Sequence, residues 1–148
     1  MTHEQLIGRP MEVLLVEDDL EDAGLTIETL REGKVPCRVS LVRDGDEALA
    51  FLRREAHFAR VPRPDVVLLD MQMPKKDGRA VLSEIRCDPR LSQIPVVVLT
   101  ASLTHAQILK EENLRAENFL TKPVDREHFL GVLKSLRKFL LSDVILPA

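Results

Sequence analysis

The chain has 148 residues, of which 45% are hydrophobic and 30% charged, the balance of one globular domain whose core needs no disulfide or metal to hold it together. A net charge of −3 and a pI near 5.8 argue against a general nucleic-acid binder, which would usually be basic. The N-terminus lacks the apolar core of a signal peptide, and no apolar stretch approaches the roughly 18 residues of a membrane helix, so we expect a soluble, cytoplasmic protein that binds neither membrane nor nucleic acid directly.

Strand-like and helix-like segments alternate along the whole chain. The predicted strands are Glu12–Glu17, Arg38–Val42, Asp65–Asp70, Ile94–Thr100 and Asn118–Thr121. The predicted helices run from Glu21 to Gly33 and then begin at Asp44, after Gly78, at Thr104 and at Asp125. Asp44 with Glu47, and Thr104 with Gln107, have the spacing of capping boxes. The two prolines in Arg60–Pro64 predict a loop.

Successive strand–helix units predict an α/β fold, a doubly wound five-stranded parallel sheet with helices on both faces. The flavodoxin-like order 2-1-3-4-5 is expected, because it places the alternating strand Arg38–Val42 at an edge with one wet face. We expect one domain over residues 11–141, a flexible N-terminal segment over 1–10 and a C-terminal tail over 142–148. Cys37 and Cys87 lie far apart without metal-ligand spacing, so they are interpreted as reduced, partly buried thiols.

Polar residues stand where the predicted strands end: Glu17 and Asp18, Asp70, Thr100, and Lys122. Parallel strands bring their carboxyl ends to one edge of the sheet, which is where open α/β sheets bind ligands. The expected strand order places Glu17, Asp18 and Asp70 side by side, and such carboxylates need a cation between them. Lys122 could supply one, and a cluster without His or thiolate suits Mg²⁺ better than zinc or copper.

This constellation would support phosphoryl transfer. An Asp carboxylate can attack phosphorus to give an aspartyl phosphate, a reaction that needs mainly positioning and charge neutralisation. Mg²⁺ and Lys122 would neutralise charge, and the Thr100 hydroxyl could hydrogen-bond a phosphoryl oxygen. The alternative is that each group is a solvated residue at a strand end. That alternative explains any one of these residues well, but it does not explain why all of them occur at matching strand ends.

Four motifs give this reading a family. They are V-E-D-D at Val16–Asp19, L-L-D-M-Q-M-P-K-K-D-G at Leu68–Gly78, V-V-L-T-A-S at Val97–Ser102 and T-K-P at Thr121–Pro123. In this order and at these strand ends, they make the chain resemble the receiver domain of two-component response regulators over Glu12–Leu141. The resemblance implies phosphorylation by a sensor histidine kinase with Mg²⁺ as the cofactor.

The resemblance also implies roles at the site. Asp70 would be the phosphoacceptor. The Mg²⁺ ligands would be Asp70, Asp18 directly, Glu17 through water, and the backbone carbonyl of Gln72. The side chain of Gln72, together with Ser102, could tune hydrolysis, or both could be exposed loop residues.

Three further residues belong to the implied phosphoryl switch. Lys122 would contact the phosphoryl group, and its bond to Pro123 would be cis. Thr100 would be the switch hydroxyl. Phe119 stands at the position of the switch aromatic, where many relatives have Tyr; the alternative is a core aromatic that never moves.

Features outside the site resemble small regulators that partner bacterial phytochromes. They are the segment Arg53–Pro64, the K-P-V-D sequence that opens the last helix, and the tail Phe139–Pro147. With no output domain after the last helix, we expect a stand-alone receiver. The last helix and tail are more apolar than one buried face requires, with Leu130 off the main stripe. We therefore expect a homodimer through the helix from Thr104, the last strand, the last helix and the tail, or else a tail folded back on its own domain.

Three functions remain open. The first is a phosphoacceptor switch, which is not an enzyme beyond its own phosphorylation and dephosphorylation. The second is a phosphate sink or shuttle. The third is a Mg²⁺-dependent phosphohydrolase, but phosphatases with a nucleophilic Asp usually carry a second acid two residues on, where this chain has Gln72.

Overall fold

The computed structural model describes residues 9–33, 35–73, 76–101 and 118–136. Its strands are β1 (Met11–Val16), β2 (Cys37–Val42), β3 (Val66–Asp70), β4 (Val96–Thr100) and β5 (Asn118–Thr121). They form one parallel sheet in the order β2-β1-β3-β4-β5, which confirms the predicted fold. The expectations for Ser102, the helix from Thr104 and the tail concern residues outside the described part of the chain.

Four helices are described: α1 (Leu20–Arg31), α2 (Gly45–Leu52), α3 (Gly78–Cys87) and α4 (Arg126–Ser135). An aspartate caps each one by accepting hydrogen bonds from backbone N–H groups of the first turn, namely Asp19, Asp44, Asp77 and Asp125. The caps at Asp44 and Asp125 were predicted. A short 3₁₀ helix at Ala56–Phe58 was not predicted, because it lies in a segment without helical periodicity.

The helices cover both faces of the sheet and create two cores. On one face, side chains of α2 and α3 pack on alternate strand residues such as Val16 and Leu69. On the other face, side chains of α1 and α4 pack on the intervening residues, such as Leu15 and Leu68. Every residue of β3 and β4 is buried, whereas β2 has only Val42 buried, as expected of central and edge strands.

The two cysteines are free, but they differ in exposure. Cys37 is half-buried, and burial raises the pKa of its thiol to about 11. The prediction of partial burial is wrong for Cys87, which is exposed because it ends α3 on the side away from the sheet. None of the helices within the described ranges combines the length and the hydrophobicity that crossing a bilayer requires.

Candidate functional site

The polar residues that were predicted at the ends of the strands lie together at the carboxyl edge of the sheet. Glu17, Asp70 and Thr100 follow or end β1, β3 and β4, and their exposed fractions are only 0%, 4% and 1%. β5 runs beside β4 with Thr121 opposite Thr100, and the Lys122 backbone N–H donates to the Thr100 carbonyl at 3.0 Å. This pairing fixes the backbone of Lys122 at the same edge. The Lys122–Pro123 peptide bond is cis, as expected.

The ammonium of Lys122 lies among three carboxylates. Its Nζ atom is 2.6 Å from Oε1 of Glu17, 3.3 Å from Oδ2 of Asp70 and 3.3 Å from Oδ2 of Asp22. Sequence reasoning missed Asp22, although its position in the first turn of the helix after β1 directs it to this edge. Lys122 therefore pairs with three acids, and the Asp18 carboxylate lies near two of them.

Glu17 is the least satisfied group at the site. Its Oε2 accepts the Asp19 backbone N–H at 3.3 Å, but its buried Oε1 has no hydrogen-bond partner within the described chain. The Lys122 ammonium is close to Oε1 but is not aligned for a directed hydrogen bond. Burial, reinforced by the neighbouring Asp70 carboxyl, raises the pKa of Glu17 to about 7. Burial alone would lower the pKa of Lys122, but the close contact with the Glu17 carboxylate and the charge of Asp70 outweigh it, so that pKa is raised.

This arrangement fits a hard divalent cation. Glu17, Asp18 and Asp70 each place one carboxylate oxygen within 4.8 Å of the others. All of these donors are oxygens, which suits Mg²⁺ rather than a soft metal. A cation here would also satisfy the buried Oε1 of Glu17 and reduce the repulsion among the acids.

The backbone around Asp70 is held tightly by the loop after β3 and by the start of α3. Oδ1 of Asp70 accepts the backbone N–H of Gln72 at 3.2 Å, so the Gln72 backbone adjoins the carboxylate. α3 begins so close to this loop that a Cβ on Gly78 would lie 2.6 Å from the Asp70 carbonyl oxygen and 2.8 Å from the Cα of Met71. Sequence reasoning quoted Gly78 within a motif without giving it a role. The structure shows that only glycine fits without a shift of the backbone that carries Asp70.

The remaining predicted residues lie beside this cluster. Phe119 stands opposite Val98 in the β4–β5 register and is half-buried against the core under α2 and α3. Its packing is compatible with both a switch aromatic and a fixed core residue. Arg43, which sequence reasoning did not select, donates from its guanidinium to the Asp18 carbonyl at 3.1 Å. It thereby ties the loop after β2 to the loop that carries a predicted metal ligand.

Comparison with known proteins agrees with this geometry. Response regulator Rcp1 of Synechocystis sp. is 38% identical over 139 residues, which cover 94% of this chain and 95% of Rcp1. The Mn²⁺-bound form of Rcp1 has a TM-score of 0.70 over 94% of this chain and 100% of that one. The phosphorylated cyanobacterial phytochrome response regulator RcpA is 41% identical, with a TM-score of 0.73 over 95% of this chain and 100% of that chain.

A bacteriophytochrome response regulator, RtBRR, is 37% identical, with a TM-score of 0.80 over 86% of this chain and 78% of that chain. The sequence profile of the response regulator receiver domain matches residues 13–134. The match includes every strand and helix described above except the first residues of β1 and the last residue of α4. The chain therefore belongs to the response regulator receiver domain family, whose members act in two-component signal transduction.

Proposed function

We propose that Asp70 accepts a phosphoryl group from a histidine kinase and that the chain acts as a phosphorylation-dependent switch. The observation that supports this most strongly is the set of buried acids around Lys122, with Oε1 of Glu17 lacking a hydrogen bond. Buried acids that share one ammonium repel one another, so such a cluster is expected where a cation or phosphoryl group is bound rather than where the fold needs support. Glu17, Asp18, Asp70 and the Gln72 carbonyl would hold the Mg²⁺.

The reaction is a displacement at phosphorus. A carboxylate oxygen of Asp70 forms the new O–P bond while the bond from phosphorus to the donor imidazole nitrogen breaks, and that nitrogen keeps the electron pair. The hydrogen bond from Gln72 to Oδ1 orients the nucleophile. Lys122, already 3.3 Å from Oδ2, is placed to contact the transferred group and balance its charge. Bound Mg²⁺ would neutralise phosphoryl charge and align the attacking and leaving atoms.

The signal would leave the site through Thr100 and Phe119. Thr100 ends β4 beside the site, and Phe119 lies on the neighbouring strand β5. We infer that the Thr100 hydroxyl hydrogen-bonds a phosphoryl oxygen and that the ring of Phe119 follows this movement. The surface around β5 would then change its affinity for a partner.

Intact mass spectrometry tests the phosphoacceptor directly. The protein is incubated briefly with Mg²⁺ and acetyl phosphate, in parallel with Asp70→Asn and with Asp125→Asn as a matched control in the exposed cap of α4. We expect one phosphoryl adduct in the wild type and in the control, none in Asp70→Asn, and none after chelation of Mg²⁺. An adduct of equal yield in Asp70→Asn would contradict the assignment.

Two further measurements separate the switch from its alternatives. Partner affinity that is the same with and without the phosphoryl group would favour a phosphate sink or shuttle. Steady multiple turnover of phosphate esters would favour a phosphohydrolase. The switch requires a single phosphorylation event that changes partner affinity, with the change absent in Thr100→Ala.

We further propose that the phosphodonor is a histidine kinase of the bacterial phytochrome class. RcpA and RtBRR are named as phytochrome and bacteriophytochrome response regulators, and both are similar to this chain over most of its length. Phosphotransfer from an autophosphorylated bacterial phytochrome should therefore be much faster than from an unrelated histidine kinase. Equal rates from both donors would refute this partnership.

A homodimer remains part of the proposal. The expected interface includes β5 and α4, and Leu130 of α4, which lies off the main apolar stripe, is only half-buried on its own core. The other expected contributors lie outside the described residues. Sedimentation at tens of micromolar should show a dimer, and only monomer with and without a phosphoryl mimic would overturn the idea.

A further inference from the structure

A cleft rich in arginine lies at the amino edge of the sheet, the edge opposite Lys122. Helices in this fold run against the strands, so the ends of α2 and α3 both come to the amino edge. Between them is a cleft of about 250 Å³. It is lined by Leu52, Arg53, Arg54, Arg63, Arg90 and Leu91, and we name it the arginine cleft.

The positive charge of the arginine cleft is only partly paired. Asp88 serves two guanidiniums at once, with Oδ2 at 3.2 Å from Nε of Arg53 and from NH2 of Arg90. Arg63 donates to the Arg90 carbonyl at 3.1 Å, and no other acceptor contacts it in the described part of the chain. Within the described ranges, neither Arg63 nor Arg54 contacts a carboxylate.

Other acids near the cleft are already engaged or lie at its margin. Glu84 is 3.8 Å from Arg53, but it is also bound by Lys76. Glu55 contributes a negative charge near Arg90 without contacting it in a hydrogen bond. The cleft therefore retains guanidinium donors for a ligand, even after the neighbouring carboxylates are counted.

The segment that supplies Arg53 and Arg54 has a strained backbone. Arg54 has φ 55° and Ala56 has φ 53°, both in the left-handed region that residues with a Cβ seldom adopt. Backbone hydrogen bonds support this conformation, with Arg54 N–H donating to the Phe51 carbonyl at 3.1 Å. The rings of Phe51 and Phe58 pack with centroids 5.3 Å apart below it. Strain kept in place by packing is typical of functional surfaces.

A second cleft continues the path beyond Arg63. It has a volume of about 200 Å³ and is lined by Arg9, Arg63, Pro64, Asp65, Gln93, Ile94 and Pro95. The two clefts share Arg63, so the available surface is an elongated track rather than a single socket. A long, narrow surface of this kind favours an extended peptide over a small anion. Each arginine guanidinium can donate two parallel hydrogen bonds to one carboxylate.

We propose that the arginine cleft binds an acidic peptide segment of a partner protein, whose carboxylates pair with Arg54 and Arg63. The segment would continue past Arg63 into the second cleft. This site uses no residue of the phosphoacceptor edge and is independent of phosphorylation at Asp70.

Fluorescence anisotropy with a labelled hexaglutamate peptide at low ionic strength tests the proposal. We expect the wild type to bind and the double variant Arg54→Ala/Arg63→Ala to lose at least about tenfold in affinity, since both unpaired forks are removed. Arg31→Ala/Arg38→Ala removes the same charge from exposed positions away from the cleft and should change affinity by less than about twofold. Asp70→Asn should bind like the wild type.

Three outcomes would overturn the proposal. The first is no binding by the wild type, and the second is equal loss in both double variants, which would show only a response to overall charge. The third is displacement of the peptide by pyrophosphate at concentrations equal to that of the peptide, which would indicate a small-anion site instead. Phosphoryl adduct formation by Arg54→Ala/Arg63→Ala in the mass assay confirms that this variant is folded.

Discussion

The two ends of one sheet hold buried acids in opposite ways. At the amino edge, Asp65 receives both arms of the Arg9 guanidinium at 2.6 and 2.7 Å and the Glu12 backbone N–H at 2.7 Å. At the carboxyl edge, Glu17 is fully buried and its Oε1 lies 2.6 Å from the Lys122 ammonium, but Asp70 and Asp22 share that ammonium. The difference helps to distinguish buried acids that stabilise the fold from buried acids that belong to a binding site. A buried acid with its own cation and hydrogen bonds supports the fold, whereas buried acids that share one cation point to a site that binds further charge.

Removing the satisfied acid should have the largest effect. Asp65→Ala removes the carboxylate that binds both arms of the Arg9 guanidinium and accepts the Glu12 N–H, so we expect a loss of about 2–4 kcal/mol in the free energy of unfolding. Urea denaturation measures it. Asp46→Ala is the control, because that acid is 72% exposed and its pair with Lys76 should contribute less than about 1 kcal/mol. Equal losses of stability in Asp65→Ala and Asp46→Ala would contradict the view that the pairing of Asp65 supports the fold.

Packing at the carboxyl edge should give the next largest effect. Gly78→Ala forces the backbone of Asp70 and Met71 to move, so we expect a loss of about 1–3 kcal/mol and slower adduct formation with acetyl phosphate. Gly24→Ala is matched to it. That glycine lies within α1 with nothing within 4 Å of an added Cβ, so alanine should stabilise by up to about 1 kcal/mol. Unchanged phosphorylation of Gly78→Ala would show that Asp70 tolerates the shift.

Removing the unsatisfied acid should have the opposite sign. In metal-free buffer near pH 8, Glu17→Gln should stabilise the protein by about 1 kcal/mol, because the cost of burying this charge beside Asp70 outweighs its ion pair with Lys122. The folded pKa of Glu17 is raised to about 7, above its unfolded value, so the folded state holds the proton more tightly. Wild-type stability should therefore fall as the pH rises through about 7, and Glu17→Gln should flatten this loss. Destabilisation by Glu17→Gln in thermal melts at pH 8 would contradict this view.

The smallest effect is expected for Asp88 at the amino edge. The hydrogen bonds from Arg90 lower the pKa of this partly buried acid to about 2. Because the folded pKa is depressed, its contribution is present above the unfolded pKa and is lost as the pH falls towards 2. Asp88→Asn should therefore lower stability slightly at neutral pH, and this deficit should disappear as the pH falls towards 2. Acid unfolding followed by circular dichroism measures this pH dependence. The same acid unfolding curve for Asp88→Asn and the wild type would contradict the prediction.

Sequence reasoning was most successful where local chemistry decides the structure. Apolar runs and capping aspartates placed the described strands and helices to within two residues, and strand ends predicted that Glu17, Asp18 and Asp70 meet. It failed where two distant segments decide together. Asp65 and Arg9 are 56 positions apart, and Asp22 and Lys122 are 100 apart, so neither pair has a local signature.

The left-handed Arg54 and Ala56 were also beyond prediction. Such backbone angles favour glycine, and neither residue type signals them. The conformation depends on packing between Phe51 and Phe58, which becomes apparent only once the segment is folded. The same holds for Gly78, whose role depends on how closely α3 approaches the loop after β3.

The position of Lys122 makes it a natural spectroscopic probe. Its side chain is 19% exposed and its ammonium touches acids from β1, α1 and β3, so proton exchange with water should be slow. Nitrogen-15 labelling of lysine should then reveal one ammonium resonance well separated from those of surface lysines. A phosphoryl group on Asp70 would change the contacts of this ammonium and give a second resonance, whose intensity would follow the phosphorylated fraction. The receiver state could therefore be followed in real time without attaching any dye.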